Sequence, residues 1–273
     1  MTDRPELLLG GTPAARRFGL LNWLGFATFY RREMARGFKI WKITLAAPAI
    51  RAVLFASVFG LAIDRPDVTM GGMPFMTFLI PGLIAVAVLE RAFESAAFSI
   101  VYDKTEGIFG DLAMLPLTPG EIVFGFVSAT LTGSLMVATV VGAALFPFVG
   151  LFPFDLFALF FFVGIGSLMI GFFSQIAGLW AKKWDYINSV QTFIFLPFVY
   201  FSGVFFSLGS LPAFVQPFAR ANPVFYVVDG IRFAMTGQSE TDPLFSALVC
   251  VGVVAVFWAI SFRLFSVGYR LKS

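Results

Sequence analysis

The feature that most constrains this chain is a series of six long apolar stretches separated by shorter polar segments. A helix needs about 20 mainly apolar residues to cross the hydrocarbon core of a bilayer. The stretches that qualify are residues 43–63, 75–101, 119–146, 156–180, 187–207 and 243–265. Hydrophobic residues make up 59% of the chain and charged residues 13%, against about 25% charged in an ordinary soluble domain. We therefore expect an all-α integral membrane protein with six transmembrane helices.

Local start signals support several of these helices. Thr118-Pro119-Gly120-Glu121 is a capping box with proline at the first helical position. Asp242-Pro243 gives the last helix the same kind of start, and Asp155 and Asp185 stand where caps are expected for the fourth and fifth. Four of the six predicted helices thus have a recognisable beginning.

The lysines and arginines predict the orientation. Fourteen of the 19 lie in the segment before residue 43, in the second and fourth loops, or at the end of the chain from Arg263 onward. Positive charge concentrates on the cytoplasmic side of a membrane protein. We therefore expect both termini to be cytoplasmic.

The segment before the first span is amphipathic. The cations Arg31, Arg32, Arg36, Lys39 and Lys42 share one arc of a helical wheel, and the arc opposite is apolar. Such a helix lies in the headgroup plane with its cations toward anionic lipid. The alternative is a plain positively charged anchor. We expect residues 1–42 to form a cytoplasmic tail and an interfacial helix, and residues 43–273 to form the transmembrane domain.

Residues 208–241 are too apolar for a solvated loop and too rich in proline for one long helix. Asn222-Pro223 starts a short helix, and Gly237 ends it. We expect a re-entrant helical hairpin in the outer leaflet before the last span. Asp229 and Arg232, three residues apart, can pair along one face of its second helix. The alternative is a mobile exterior loop.

The first two predicted spans contain four ionisable residues: Arg51, Glu90, Arg91 and Glu94. A charge in the bilayer costs at least about 2.5–3.5 kcal/mol on insertion scales, so such residues are rarely idle. Because their depths match, Arg51 is predicted to pair with Glu90 or Glu94. A polar rim at the inner end of a pathway is the other reading, and both can hold. The fourth span also carries small residues at spacings of three and four, which favour close helix packing.

Composition excludes several classes of site. Cys250 is the single cysteine and histidine is absent, so we expect neither an internal disulfide nor a zinc site, and no other metal is implied. A net charge of +3 is small, and in a membrane protein positive charge is more informative about orientation in the membrane than about nucleic-acid binding. The phosphate-binding pattern G-x-x-x-x-G-K-[ST] is missing, so no ATP chemistry is expected in this chain.

Several segments together resemble a known family. They are 29–41 leading into Ala47-Pro48, Phe78-Leu79-Ile80-Pro81-Gly82-Leu83, 112–119, 201–207 with Leu211-Pro212, and 222–232 (NPVFYVVDGIR). In this order and spacing they resemble the permease subunits of type-2 ABC exporters, in the subgroup of the nodulation-factor export permease. The resemblance covers nearly the whole chain.

The resemblance implies a homodimer in a bacterial inner membrane, docked on two copies of a cytoplasmic ATPase subunit that carries the ATP and magnesium. It implies a coupling helix at 102–115 that inserts into the ATPase. The ATPase-coupling residues would be Asp103, Glu106, Ile108, Phe109, Leu112 and Leu115. The alternative is a loop packed on its own bundle.

The resemblance also implies that the fifth span and the outer hairpin line the pathway between two copies. The residues expected there are Tyr200, Phe205, Asn222, Pro223, Tyr226, Asp229 and Arg232. The expected function is outward export of an amphipathic substrate, such as a lipid-linked saccharide, a glycolipid or a hydrophobic drug-like molecule. The alternatives are a proton-coupled secondary transporter that uses Glu90 and Glu94, and a membrane scaffold that transports nothing.

Overall fold

The computed structural model describes residues 22–63, 69–112 and 115–269. Their regular structure is almost entirely helical. It includes one short hairpin of two-residue strands, β1 (Thr69–Met70) and β2 (Met73–Pro74). The α-helices are α1 (Trp23–Lys39), α2 (Ala47–Ile63), α3 (Phe75–Thr105), α4 (Phe109–Leu112), α5 (Pro119–Val149), α6 (Leu156–Trp180), α7 (Trp184–Val190), α8 (Leu196–Tyr200), α9 (Gln216–Ala221), α10 (Pro223–Thr236) and α11 (Pro243–Ser266). Two π-helical turns, Lys42–Ala46 and Gln191–Phe195, lead into α2 and α8, and a 3₁₀ turn covers Leu208–Ser210. The all-α membrane fold is confirmed.

Five helical stretches in the described part of the chain are long and apolar enough to cross a membrane. They are Lys42–Ile63, Phe75–Thr105, Pro119–Val149, Leu156–Trp180 and Pro243–Ser266. Each corresponds to one of the predicted spans.

The predicted span at 187–207 has different boundaries. Its helix begins at Trp184, ends at Tyr200, and is continuous through the π-turn. Those 17 residues reach about 25 Å, against a hydrocarbon core of about 30 Å. The apolar sequence continues to residue 207, but the backbone turns at Gly203, whose φ is 77°. The count of six spans therefore stays a prediction.

Helix α3 is the centre of the bundle. It packs on α5 and α6 along most of its length, and 83% of an apolar 18-residue segment of this helix is buried inside the protein. Gly178 on α6 makes this possible, because a Cβ there would come within 3.1 Å of the Ala97 backbone. Ser167 and Ser174 on the same face of α6 are fully buried. The small-residue face of the fourth predicted span thus serves packing, as expected.

The capping predictions hold at three of four helices. Thr118 and Glu121 form the reciprocal capping box that starts α5, and Asp155 and Asp242 cap α6 and α11. Asp185 does not cap α7, which starts at Trp184, two residues before a helix capped by Asp185 would start, with Lys183 at the cap position. Asp185 lies instead in the first turn, where a negative charge still favours the helix dipole.

Candidate functional site

Helix α1 is fixed to α3 by ion pairs. Arg36 Nη2 donates to an Asp103 carboxylate oxygen at 2.7 Å, and Arg32 pairs with the other oxygen. Ser99 donates a hydrogen bond to Glu33 on α1. Arg32 and Arg36 therefore reach a buried carboxylate on α3 while staying partly exposed, and the expectation that the cations of α1 face lipid stays a prediction.

The predicted coupling helix at 102–115 is not one helix. Helix α3 continues through Thr105, Gly107 turns the chain with a φ of 74°, and α4 occupies only Phe109–Leu112. A glycine is needed at this turn because the left-handed conformation is strained for other residues. The described part of the segment, residues 102–112, is a helix end, a tight turn and a single helical turn.

Five of the six predicted coupling residues have described side chains, and these divide between the bundle and the surface. Asp103 is 1% exposed and Phe109 is 2% exposed, so neither presents its side chain to a partner. Ile108, at 39%, and Leu115, at 40%, remain exposed, as does Glu106. Leu112 is the last residue of α4. The apolar periodicity indicated one exposed face, but Phe109 packs back onto the bundle.

Lys104 connects this turn to α6. Its ammonium group donates to the carbonyl oxygens of Gly178, Leu179 and Ala181, at 2.9, 2.6 and 3.0 Å. It also lies 5.3 Å from the centre of the Phe109 ring. A cation at a helix C-terminus satisfies free carbonyls and the dipole together. Sequence reasoning used Lys104 only for topology and missed this role, since the partners are more than 70 residues away.

The other end of the second loop is held by α1. The Asn22 side chain donates to the Pro116 carbonyl oxygen at 2.8 Å, and its backbone N–H donates to Glu121 at 2.5 Å. Glu121 is also the capping-box residue of α5. Both ends of the loop are thus fastened to long helices.

The embedded ion pair is confirmed between Arg51 and Glu90. Arg51 Nη1 lies 2.7 Å from Glu90 Oε2, whereas Glu94 interacts electrostatically with Arg91 and Arg51 and forms a hydrogen bond with the Gln191 side chain. Arg91 projects to the other side of α3, next to Gly133 of α5. The described residues hold no cluster of three or more histidine, cysteine or carboxylate side chains arranged to bind a metal ion.

The pair lies on the surface of the protomer. The Arg51 side chain is 48% exposed, whereas Glu90 behind it is 7% exposed. A small cavity of about 30 Å³ beside the pair is lined by Phe55, Tyr200 and Phe205, among others. Tyr200 and Phe205, both predicted pathway residues, therefore lie together with Arg51 and Glu90.

The hairpin before the last span consists of α9 and α10, joined at Asn222. The Asn222 side chain caps α10 through the Val224 N–H at 3.0 Å and donates to the Phe198 carbonyl oxygen at 2.6 Å. Pro223 follows as the first helical residue. The Tyr226 hydroxyl donates to the Arg220 carbonyl oxygen at 2.9 Å, which closes the turn. The helical pair is confirmed, although α9 has only six residues.

Asp229 and Arg232 pair as predicted, at 3.8 Å, in a fully buried setting. Arg232 lies 3.8 Å from the centre of the Phe78 ring and donates to the Gly203 carbonyl oxygen at 2.7 Å. Their spacing on α10 predicted the ion pair. Nothing local pointed to Phe78 and Gly203, which come from distant segments.

Asp229 also organises the loop that follows α10. It accepts hydrogen bonds from the backbone N–H groups of Glu240 and Thr241, both at 2.9 Å. Glu240 in turn accepts from the Leu208 N–H at 2.7 Å. Burial raises the pKa of Glu240, although the Leu208 N–H and Arg232 favour its carboxylate. This network ties both ends of the outer segment together.

Comparison with known proteins agrees with this architecture. The family described as "ABC-2 type transporter" matches residues 25–236. The inner membrane transport permease YadH of Escherichia coli K12 is 30% identical over 93% of this chain and 99% of its own length. Nodulation protein J of Rhizobium leguminosarum bv. viciae is 27% identical, covering 89% of this chain and 92% of its own length.

A third relative matches less of both chains. The probable multidrug ABC transporter permease YbhR of Escherichia coli K12 is 24% identical over 64% of this chain and 48% of its own length. The family match spans α1 to α10, and the relative at 30% identity covers almost the whole chain. The chain therefore belongs to the ABC-2 type transporter family, as a multi-pass membrane subunit of an ABC exporter.

Proposed function

We propose that two copies of this chain form the membrane pathway of an exporter in a bacterial inner membrane, powered by two copies of a separate ATPase subunit. The pathway runs between the two copies and is lined by α2 and the helix at 184–200 of each. ATP and magnesium act on the ATPase subunits. The substrate is amphipathic and moves outward.

The observation that carries this proposal is the exposure of Arg51. The residue lies about 14 Å along the helix from Lys42, and its side chain is 48% exposed in the single chain. A guanidinium facing hydrocarbon costs at least about 2.5–3.5 kcal/mol. Lipid is therefore a poor neighbour for this surface, and a second copy or a polar pathway is a better one.

The rest of the surface agrees with this assignment. Leu54, Phe55 and Val58 follow Arg51 at spacings that place them on the same face of α2, and all three are exposed. Phe198 and Tyr200 are exposed on the neighbouring helix. An apolar face interrupted by one charged pair suits a dimer interface around a pathway.

The same residues favour an amphipathic substrate. Phe55 and Phe205 flank the Arg51–Glu90 pair, and Tyr200 adds a hydroxyl. Aromatic rings accept an apolar chain, while the guanidinium and hydroxyl donate hydrogen bonds to a polar group. A lipid-linked saccharide, a glycolipid or a hydrophobic drug-like molecule has both parts.

The second loop supplies the surface for the ATPase. Ile108, Leu115 and Glu106 are the predicted coupling residues that remain exposed. A push on this surface would reach α6 through Lys104 and α1 through Asn22. In the complex, Ile108→Asp should release the ATPase, while Phe109→Asp should unfold the chain. A permease carrying Ile108→Asp that still co-purifies fully with the ATPase would contradict this surface.

The hairpin of α9 and α10 is proposed to cap the pathway from the outside. Phe218 on α9 is 76% exposed, and Val227 on α10 is fully buried. Single cysteines are introduced at these positions in a Cys250→Ala background. The exposed Phe218→Cys should react rapidly with a membrane-impermeant thiol reagent, and the buried Val227→Cys should react slowly. Equal rapid labelling of both would mean a mobile exterior loop and would refute the cap.

Cross-linking tests the pathway surface. Leu54→Cys on α2 and Val256→Cys on α11 are similarly exposed in one chain. In the Cys250→Ala background, a short bifunctional maleimide should join two copies through Leu54→Cys and not through Val256→Cys. The opposite pattern would place the dimer interface on α11.

Transport distinguishes the exporter from its rivals. In inverted vesicles that contain the permease and its co-expressed ATPase, a fluorescent amphiphile should accumulate with ATP and not with a proton gradient alone. Glu90 is held by Arg51 at 2.7 Å, which favours a structural carboxylate over a proton carrier. Uptake driven by protons without ATP would establish the secondary transporter, and no flux under either condition would favour the scaffold.

A further inference from the structure

We propose that α7 (Trp184–Val190) is a movable inner gate that swings about the π-turn Gln191–Phe195, while the outer half of the same helix stays fixed. The assignment of α7 as a gate rests on the proposed function, in which this helix lines the pathway. The hinge at the π-turn rests on packing and hydrogen bonds within one chain, so it can be tested without the ATPase subunit.

The π-turn is the weak point of a helix that is otherwise α-helical. The Leu196 N–H donates to the Gln191 carbonyl oxygen, one residue further back than in an α-helix. Such turns are rare, occur mostly as single turns inside α-helices, often at functional sites, and are among the few causes of sharp helix kinks. Among the helices that the structure describes, a π-turn occurs here and at Lys42–Ala46. The turn therefore marks the place where this helix can bend.

The outer half of the helix is clamped at its end. The Asn222 side chain donates to the Phe198 carbonyl oxygen at 2.6 Å, and Arg232 donates to the Gly203 carbonyl oxygen at 2.7 Å. Asn222 caps α10 and Arg232 lies within it, and α10 packs on α6 and α11. A helix end inside a membrane must find protein partners for its free carbonyl groups. The outer half is therefore one body with α10, α6 and α11.

The turn itself is held on α3. The Gln191 side chain forms a hydrogen bond with Glu94, and the Phe195 ring stacks on Phe93 with 4.7 Å between the ring centres. These contacts fix both ends of the π-turn to the helix at the centre of the bundle. Because the pivot and the outer half are both held, a bend at the turn moves the inner half.

The inner half of the helix is covered far less. Of the seven residues of α7, all of which the structure describes, only Ile187 is buried in the single chain. Trp184 and Tyr186 contact Phe98 and Trp180 edge to face, at 5.4 and 5.7 Å between ring centres. Aromatic pairs are favourable over about 4.5–7 Å between ring centres, so they tolerate a shift that would break a buried hydrogen bond. Helix α7 can therefore move at a lower cost than the outer half.

Free space beside the turn allows it to bend. An apolar cavity of about 140 Å³ lies between the turn, α6, α10 and α11. Ile194 and Phe195 of the turn, and Phe198 just beyond it, form part of its wall. Protein interiors are otherwise close-packed, with few voids larger than a water molecule. The side chains of the turn thus have room to repack when the helix tilts.

The second loop reaches the start of the proposed gate. The Lys104 ammonium group donates to the Ala181 carbonyl oxygen at 3.0 Å, and Ala181 stands three residues before α7. The same ammonium group holds the last carbonyls of α6. A displacement of the second loop by the ATPase would therefore pull on the chain that enters α7.

The size of the motion follows from the length of the moving arm. Asp185 stands eight residues before Phe193, the middle of the turn, which is about 12 Å along a helix. A kink of about 20° at the turn would displace Asp185 by about 4 Å. Pulsed electron spin resonance resolves a change of this size between two spin labels.

The experiment uses the full-length permease, purified in mild detergent without its ATPase, in the Cys250→Ala background. Two labels on one chain, at Asp185→Cys and Phe124→Cys, report the position of the inner half relative to α5. Labels at Phe201→Cys and Val140→Cys do the same for the outer half, and all four positions are exposed. An excess of unlabelled chain restricts the measured distances to one copy. The inner pair should give a distance distribution about 4 Å broader than that of the outer pair, as the arm length predicts.

Removing one residue should close the hinge. A π-turn contains one residue more than an α-helical turn needs, so deletion of the exposed Thr192 allows a regular helix whose two flanks face as before. In this variant, the distribution of the inner pair should become as narrow as that of the outer pair. Deletion of Ile43, an exposed residue of the other π-turn, is the matched control and should leave the inner pair unchanged. In the complex with the ATPase, deletion of Thr192 should abolish ATP-driven transport.

Equal widths of the two distributions in the unmodified turn would overturn the hinge, and this comparison does not require the deletion variant to fold. An inner pair that stays broad after deletion of Thr192, or one that narrows equally after deletion of Ile43, would overturn it too. Full transport by a Thr192 deletion variant with a narrow inner pair would show that α7 is not the gate. Failure of the proposed function looks different, since the unmodified complex would then show no ATP-driven flux.

Discussion

The Arg51–Glu90 ion pair allows a specific prediction, because the Arg51 side chain is much more exposed than the Glu90 side chain. Arg51→Gln leaves the Glu90 carboxylate buried without its partner, next to Glu94 four residues along the same helix. Glu90→Gln leaves Arg51, whose side chain is 48% exposed and faces the polar pathway of the proposed dimer, where water can solvate it. The two single changes should therefore differ in cost.

The magnitudes follow from this asymmetry. Breaking a buried ion pair costs about 3–5 kcal/mol, and we expect Arg51→Gln near the lower end, about 3 kcal/mol. Glu90→Gln should cost about 1 kcal/mol, as for an exposed pair. The double variant carries no unpaired charge and should also cost about 1 kcal/mol, because well-packed neutral groups replace a buried pair at little expense. The coupling between the two sites is then about 3 kcal/mol.

Equilibrium unfolding of the purified chain gives the measurement. Tryptophan fluorescence in a titration from mild detergent to dodecyl sulfate reports the free energy of unfolding of the wild type, the two single variants and the double variant. Lys39→Gln, an exposed cation on α1, is the matched control and should change stability by less than about 0.5 kcal/mol. Two results would refute this asymmetry. One is a double variant whose loss of stability equals the sum of the two single losses, and the other is a Glu90→Gln variant that loses as much stability as Arg51→Gln.

Two further changes test the packing and the link between the second loop and α6. Gly230→Ala should lower the free energy of unfolding by about 1–3 kcal/mol, because its Cβ would lie 2.2 Å from the buried Phe162 ring. Gly252→Ala on α11, with free space around it, should be neutral or stabilising in the same titration. Lys104→Met should reduce stability by about 2 kcal/mol and should separate ATP hydrolysis from transport in reconstituted vesicles. Lys104→Arg should retain part of the coupling, and full transport by Lys104→Met would show that its contacts with α6 are dispensable.

The sequence determined the membrane class and most helix positions, because hydrophobic length and end caps act locally. Five of the six predicted spans correspond to helices long enough to cross a bilayer. The capping box at Thr118 and the caps at Asp155 and Asp242 act within a few residues of their helix starts. The ion pair within α10 was predictable for the same reason, since residues three apart share one helix face.

The sequence did not reveal which side chains of the second loop are buried and which are exposed. Apolar residues at helical spacing predicted one exposed helix, but the turn at Gly107 directs Phe109 into the bundle and leaves Ile108 exposed. A hydrophobic pattern indicates that a side chain is buried away from water. It does not indicate whether the chain's own helices or a partner subunit bury it.

Tertiary structure alone decided which charges meet. Asp103 binds Arg32 and Arg36 across about 70 positions of sequence, Lys104 reaches the end of α6, and Arg91 stands between two glycines. The cost of burying a charge predicts that each of these groups needs a partner or a solvated surface. Which partner it obtains depends on how the helices pack, because each helix presents its side chains to neighbours that are remote in the sequence.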